Sequence, residues 1–425
     1  MNQSTKLSLI ILFFSNFIYV SNANTATINA STCSRADVQS AINSASNGDT
    51  VIVPSGTCTW SSSVSIPSTK GITLKGAGID STTIRFSGNK GLKISGSVGR
   101  PFRVTGFTFT SLSGNEYQIY IDGDCRNWRI DHIKFNDNPV SMMPYGVWVH
   151  GHTYGVIDNC QFISIGQAVF VQEPDESDPV MYGDISWQTA IDWGGPKAVY
   201  VEDCTFTGLI DNQEQVFDGR YGGRIVFRYN TVTDAWIEPH SGCPNGGRAV
   251  MHNEIYENIF IQSDSGMWMP IRIRGGTGVI FNNDFDTDIT FPVIFIDNQR
   301  SAIDCMDPPG ECDGNNPLDG NTPGWYGWPC LDQIGRGANQ SSNPMYEWNN
   351  EKCANPPCDG GGTDVDIHIF ELGGGLDVNY HLIENRDFYN DTQKPGYTPY
   401  IYPHPLRTNG DTMPPAPPTG VRVIK

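Results

Sequence analysis

NWRIDHIKF (residues 127–135), YGVIDNCQF (154–162) and AVYVEDCTF (198–206) are copies of one phrase, which recurs as PFRVTGFTF (101–109), RIVFRYNTV (224–232), HNEIYENIF (252–260) and TGVIFNNDF (277–285). The last residues are Phe109, Phe135, Phe162, Phe206, Val232, Phe260 and Phe285, so the intervals are 26, 27, 44, 26, 28 and 25 residues. A period in the twenties marks a solenoid. The interval of 44 holds one coil plus an insertion between about Gln172 and Pro196, and the phase survives it.

Within each phrase the apolar residue five before the end (Val104, Ile130, Ile157, Val201, Phe227, Ile255, Ile280) and the final Phe or Val share a side if a turn separates two short strands. The pattern is therefore β and not helical. Two before the end stand Phe107, Ile133, Cys160, Cys204, Asn230, Asn258 and Asn283, a column that passes from apolar to thiol to amide. A parallel β-helix stacks like residues in its interior, where each Asn amide can bond the next. Between phrases lies a second strand, with copies QIYIDG, GVWVHG, AVFVQE, EQVFDG, WIEPHS, PIRIRG and VIFIDN. Alternation sends Ile119 and Ile121, Val147 and Val149, Val169 and Val171, Ile271 and Ile273, and Ile294 and Ile296 inward. Two columns then face out. One is Tyr120, Trp148, Phe170, Phe217, Glu238, Arg272 and Phe295; the other is Asp122, His150, Gln172, Asp218, His240, Arg274 and Asp297. Aromatics, histidines, arginines and carboxylates gathered on one ribbon are the functional signal.

Residues 1–23 read as a cleaved signal peptide, with Lys6, an apolar run from Leu7 to Val20 and the ending Ser21-Asn22-Ala23. The expectation is a secreted, extracellular or periplasmic chain with no membrane anchor after cleavage, and a monomer. Residues 24–70 read as an N-terminal cap and first strands, where Val38, Ala41, Ile42 and Ala45 predict a short amphipathic helix over 37–45. Coils follow over 71–300, then a loop-rich, Cys-containing segment with final strands over 301–412, and a Pro-rich tail over 413–425. Eleven cysteines in an exported chain suggest disulfides. Cys33 with Cys58 is the expected bridge, and Cys305, Cys312, Cys330, Cys353 and Cys358 would brace loops. Cys160 and Cys204 read as stacked buried thiols. No CxxC pair suggests zinc.

DVQSAINSASNGDTVIVPSGTCTW (37–60), ITLKGAG (72–78) and the repeated [V/I]-x-[D/N]-x-x-F coils resemble the pectate-lyase-like superfamily. The resemblance implies an all-β fold, a right-handed parallel β-helix with a short N-terminal capping helix. Members of that superfamily are mostly polysaccharide lyases and glycoside hydrolases, with adhesins and tailspikes besides. RIDHIKF (129–135) is similar to the WIDH segment of pectate lyases, although Asp131-His132 is equally an ordinary turn choice. The polygalacturonase set of NTD, DD, GHG and RIK is absent, as is the pectate-lyase RxPxxR arrangement.

Elimination from a uronate needs a group to neutralise the carboxylate, a base for the adjacent carbon and an acid for the leaving oxygen. The densest supply is DGRYGGRIVFRYN…WIEPHSGCPNGGR…PIRIRGG. Within it His240 reads as the base, Arg272 or Arg274 as the neutraliser, and Tyr221 or Arg248 as the acid. Asp218 and Glu238 form the carboxylate pair that a glycoside hydrolase would use. Tyr120, Trp148, His150, Phe170, Arg220 and Arg224 read as substrate-binding. The alternative for each charged residue is a surface ion pair worth roughly 0 to 1 kcal/mol. The alternative for the aromatics is a cover supplied by the insertion, with Trp187 and Trp193. The expected partner is a polysaccharide. The net charge of −19 argues against nucleic acid. No cofactor is expected, and calcium is a candidate only at Asp304, Asp307, Glu311, Asp313 and Asp319. A non-catalytic glycan-binding or structural solenoid is the third reading.

Overall fold

The computed structural model describes residues 25–87, 90–112, 117–136, 144–175, 177–179, 181–208, 215–240, 247–263, 269–297, 331–370 and 382–408. The residues read as a signal peptide, the calcium candidates, the Pro-rich tail and Cys243, Cys305, Cys312 and Cys330 lie outside the described residues. The chain is nearly all β, and its strands stack in parallel as a right-handed parallel β-helix. Successive phrases pair residue for residue: Ile130 lies against Val104 and Ile157, and Val201 against Phe227.

Each phrase bends at one left-handed residue, three before its end. His132 (φ 51°), Asn159 (50°), Asp203 (53°), Tyr229 (55°), Glu257 (57°) and Asn282 (53°) hold this place, and Gly106 (77°) holds it in the first copy. A single left-handed residue turns the chain between two short strands, so the final Phe re-enters the core. Asp131-His132 is therefore a turn pair, with Asp131 bound to Arg103 and Thr105. Inside, Phe109, Phe135, Phe162 and Phe206 stack with centroids 6.1, 4.6 and 4.8 Å apart.

The amide column is a hydrogen-bonded ladder. The Asn230 Nδ2 donates to Asn258 Oδ1 (3.1 Å), Asn258 to Asn283 (2.9 Å) and Asn283 to Asn350 (2.8 Å). The last rung shows that the solenoid does not end near residue 300. Met345–Trp348 and Glu351–Cys353, in a stretch that reads from sequence as loops, continue its sheets, as does Ile367–Ile369 among the expected final strands. The phrase is disguised there because Glu347 stands where Ile280 stood and Lys352 where Phe285 stood.

The predicted helix is Arg35–Ser44, begun by Ser34, whose hydroxyl accepts from the Asp37 N–H at 3.3 Å. It buries Val38, Ala41 and Ile42. Cys33 and Cys58 are bridged, as are Cys353 and Cys358, while Cys160 and Cys204 are buried and unbridged.

After the last coil the chain runs back over the outside of the stack. Thr392 N–H donates to Glu347 O (2.9 Å), Tyr397 OH to Glu254 (2.6 Å), and Arg228 to the carbonyls of Tyr400 and Ile401 (2.7 and 3.0 Å). Farther back Arg407 enters between Asp158 (3.3 Å) and Glu202 (2.8 Å). This strap meets the coils in reverse order.

Asn258→Ala removes a middle rung, strands the Asn230 N–H and takes a donor from the Phe227 and Tyr256 carbonyls, so it should lower unfolding free energy by about 3 kcal/mol, measured by denaturant titration. Glu347 gives a second test. Burial raises its carboxyl from 4.5 to about 8, against hydrogen bonds from Asn350 and the Asp391 N–H, with Asp364 and Asp391 adding to the rise. A raised carboxyl holds its proton longer in the folded state, so its contribution is fully present below about 4.5 and is lost as pH rises through about 8. Glu347→Gln should therefore stabilise the protein at alkaline pH and have little effect near pH ~4.5.

Candidate functional site

Residues that face out from the ten-stranded sheet build the site. That sheet runs from Val64–Ile66 through Tyr117–Gly123, Tyr145–His150, Gln167–Gln172, Gln215–Arg220 and Ile271–Ile273 to Ile367–Ile369. Its first outward column matches the sequence reading through Tyr120, Trp148 and Phe170 and then departs by one residue. Phe217 pairs with Val169 and points inward against Phe227, with centroids 6.4 Å apart. Asp218 takes the place beside Phe170, and Arg220 the place beside Gln172. Gly219 occupies the inward position next to Val171, so alternation alone could not set the phase there.

The slip brings the carboxylate to the histidine. His240 Nδ1 lies 2.7 Å from Asp218 Oδ1, and Asp218, fully buried, also accepts from its neighbour's Gly219 N–H (2.7 Å) and from Gln167 Nε2 (3.1 Å). Gln167 Nε2 donates as well to Gln215 Oε1 (2.7 Å), and Gln215 Nε2 to Glu238 Oε2 (2.7 Å). Glu238 then meets Arg272 Nη1 at 2.9 Å and binds Arg274, while Arg272 Nε donates to Asp297 Oδ2 at 2.7 Å. Burial would raise the Glu238 carboxyl, but Arg274, His240 and Arg272 outweigh it and hold it below its ordinary value. For Asp297 the balance is reversed, and complete burial raises it despite Arg272 and Arg274. Both arginines are thus already paired with carboxylates of the protein.

Beside this network opens a cleft of about 880 Å³. One wall carries Tyr145, Trp148, Phe170, Gln167, Arg220 and Tyr221; the other comes from the insertion through Pro174, Asp175 and Tyr182. Asp122, Asp124, His150 and His152 line its far end. His150 Nδ1 lies 3.4 Å from Asp122, and His152 reaches Glu173 and Asp175, each at 3.5 Å. The hydrogen bond to Glu173 raises the His152 imidazole above its ordinary value, in spite of burial. Burial likewise raises the Tyr221 phenol. Tyr120 is 7 % exposed, with the Lys90 ammonium 3.4 Å over its ring.

Three expectations change. Arg224 is only 1 % exposed and does not reach the cleft; it donates to the carbonyls of Ser186, Thr189 and Ala190 and so fastens the insertion. Arg248 is spent on Asp332 (2.8 Å) and Asp184 (2.8 Å), with its guanidinium 4.9 Å over Trp187. Trp187 and Trp193 do not cover the aromatic strip, because Trp187 donates to Ala249 O and Trp193 packs on His252 and Tyr397. Sequence reading missed the cleft residues Tyr145 and Gln167. Their signal was a third outward column, Tyr117, Tyr145, Gln167 and Gln215, in register from coil to coil.

No family profile and no curated protein matches the chain. Similar solved structures include an alginate lyase from Paenibacillus sp. str. FPU-7, at 13% identity and TM-score 0.42 over 77% of this chain and 95% of that one. A tailspike protein of E. coli bacteriophage HK620 aligns at 14% identity and TM-score 0.34, over 62% and 59% of the two chains. The Azotobacter vinelandii mannuronan C-5 epimerase AlgE4 A-module aligns at 15% and TM-score 0.24, over 59% and 91%. Among the described residues no helix is long and apolar enough to cross a membrane.

Arg248→Ala leaves Asp184 and Asp332 buried without their cation. The expected cost is about 3 to 5 kcal/mol, with faster cleavage of the insertion in limited proteolysis.

Proposed function

We propose that the protein is a secreted polysaccharide lyase that cleaves a uronate-containing glycan by β-elimination in the cleft beside Asp218 and His240. The observation that carries the reading is the 2.7 Å contact between His240 Nδ1 and Asp218, which shares its strand with Arg220 of the cleft wall. A carboxylate that accepts the Nδ1 proton leaves Nε2 as a base. Arg220 neutralises the sugar carboxylate, since its Nε has no partner among the described residues whereas Arg272 and Arg274 are paired. His240 Nε2 takes the proton from the carbon next to that carboxylate. The electron pair forms the new double bond, the glycosidic C–O bond breaks, and Tyr221 gives its proton to the leaving oxygen. Burial suits the phenol to that task by keeping it protonated.

The hydrolase reading fares worse on geometry. Glu238 is held below its ordinary value by its arginines, which unsuits it as the proton donor that hydrolysis needs, and Asp218 is engaged by three N–H donors within the protein. The paired cysteines support an oxidising compartment.

Incubation with pectin, alginate, glycosaminoglycans and neutral glycans tests this, reading unsaturated products and reducing ends together. The expected result is an unsaturated product that His240→Ala lowers by about 10² to 10⁴-fold while circular dichroism shows the variant folded. Reducing ends without unsaturation would point instead to Asp218 and Glu238, and silence on every glycan to a binding or structural solenoid.

A further inference from the structure

The cleft contains more polar groups than its own hydrogen bonds use. Trp148 Nε1, Arg220 Nε and Gln167 Oε1 are buried with no hydrogen-bond partner among the described residues. Gln167 is only 8 % exposed, and all three residues line the cleft. Two donors and an acceptor, set around the faces of Trp148, Phe170 and Tyr145, suit sugar rings, whose faces stack on aromatics and whose hydroxyls both give and take hydrogen bonds. An unmet buried polar atom costs free energy until a ligand meets it.

The charges of the lining restrict which sugars fit. Among the described residues Arg220 is its one guanidinium, while Asp122, Asp124 and Asp175 bring three carboxylates, with side chains 40, 51 and 34 % exposed. His150 faces Asp122 and His152 faces Asp175 and Glu173, so both imidazoles are turned to the protein's own acids. Arg126 lies 3.6 Å from Asp124, and Lys93 acts on Asp122, but neither lines the cleft. A homopolyuronate would place a carboxylate on every ring and bring several against these acids. A chain with isolated uronates would place one at Arg220 and uncharged rings on the aromatic wall.

We infer that the cleft selects a heteroglycan in which each uronate is flanked by uncharged sugars, with one carboxylate at Arg220 and a neutral ring on Trp148 and Phe170. The inference rests on the elimination reading for the place of the carboxylate, yet it concerns binding, which is measured apart from turnover.

Calorimetric titration of the full chain carrying His240→Ala, at low ionic strength, compares three probes: a hyaluronan hexasaccharide, in which glucuronate alternates with an uncharged N-acetylhexosamine, a gellan-derived oligosaccharide, and hexagalacturonate. At least one of the first two should bind on the order of tenfold more tightly than hexagalacturonate, and added salt should narrow the gap. Trp148→Ala should weaken that binding on the order of tenfold. The double variant Asp122→Asn with Asp124→Asn should tighten hexagalacturonate alone, and circular dichroism would show that these variants remain folded. Equal or tighter binding of hexagalacturonate, binding of none of the probes, or a preference that the double variant leaves unchanged would overturn the inference. Selective binding with no unsaturated product from the unmutated chain would keep it and remove the elimination reading.

Discussion

Hydrogen bonding between the backbones of successive coils is the constraint on which the rest depends. Parallel strands about 4.8 Å apart place equivalent residues directly over one another, so a position within the coil becomes a column along the molecule. Each column must then tolerate its own kind as a neighbour. Phenylalanine does so by stacking, and asparagine by passing a side-chain hydrogen bond to the next rung. Outside, the same geometry gives a second amide relay, Gln167 to Gln215 to Glu238, which ties the histidine dyad to the arginine pair.

The ion pairs have a different role from the ladders. Arg224 and Arg248 hold the insertion, and Arg228 and Arg407 hold the strap, all of them with little or no exposure. Removing such charges from water offsets most of what their pairing returns, so they do more for where a segment sits than for net stability. The insertion is one wall of the cleft, and its position is therefore set by arginines that never touch the space they help to enclose.

The fold was legible because a period of 25 to 28 residues recurs and the inward positions are apolar. The last coil was not, because Glu347 and Lys352 replace the apolar marks of the phrase. The site was half legible. The aromatic strip and His240 followed from alternation, but Asp218 was displaced to the wrong column because Gly219 has no side chain by which to recognise an inward position. Arg224 looked available for binding and Arg248 for catalysis because their partners, Ser186, Asp184 and Asp332, stand 38, 64 and 84 residues away in sequence and outside the repeat.

The returning strap alters what kind of polymer this is. A stack whose coils touch only their neighbours can fray from either end, each coil melting nearly on its own. Here Arg407 reaches Asp158 and Thr392 reaches Glu347, so one length of chain spans the coils between and laces distant turns together. Opening an inner coil then means lifting the lacing as well, which converts a linear zipper into a cooperative unit.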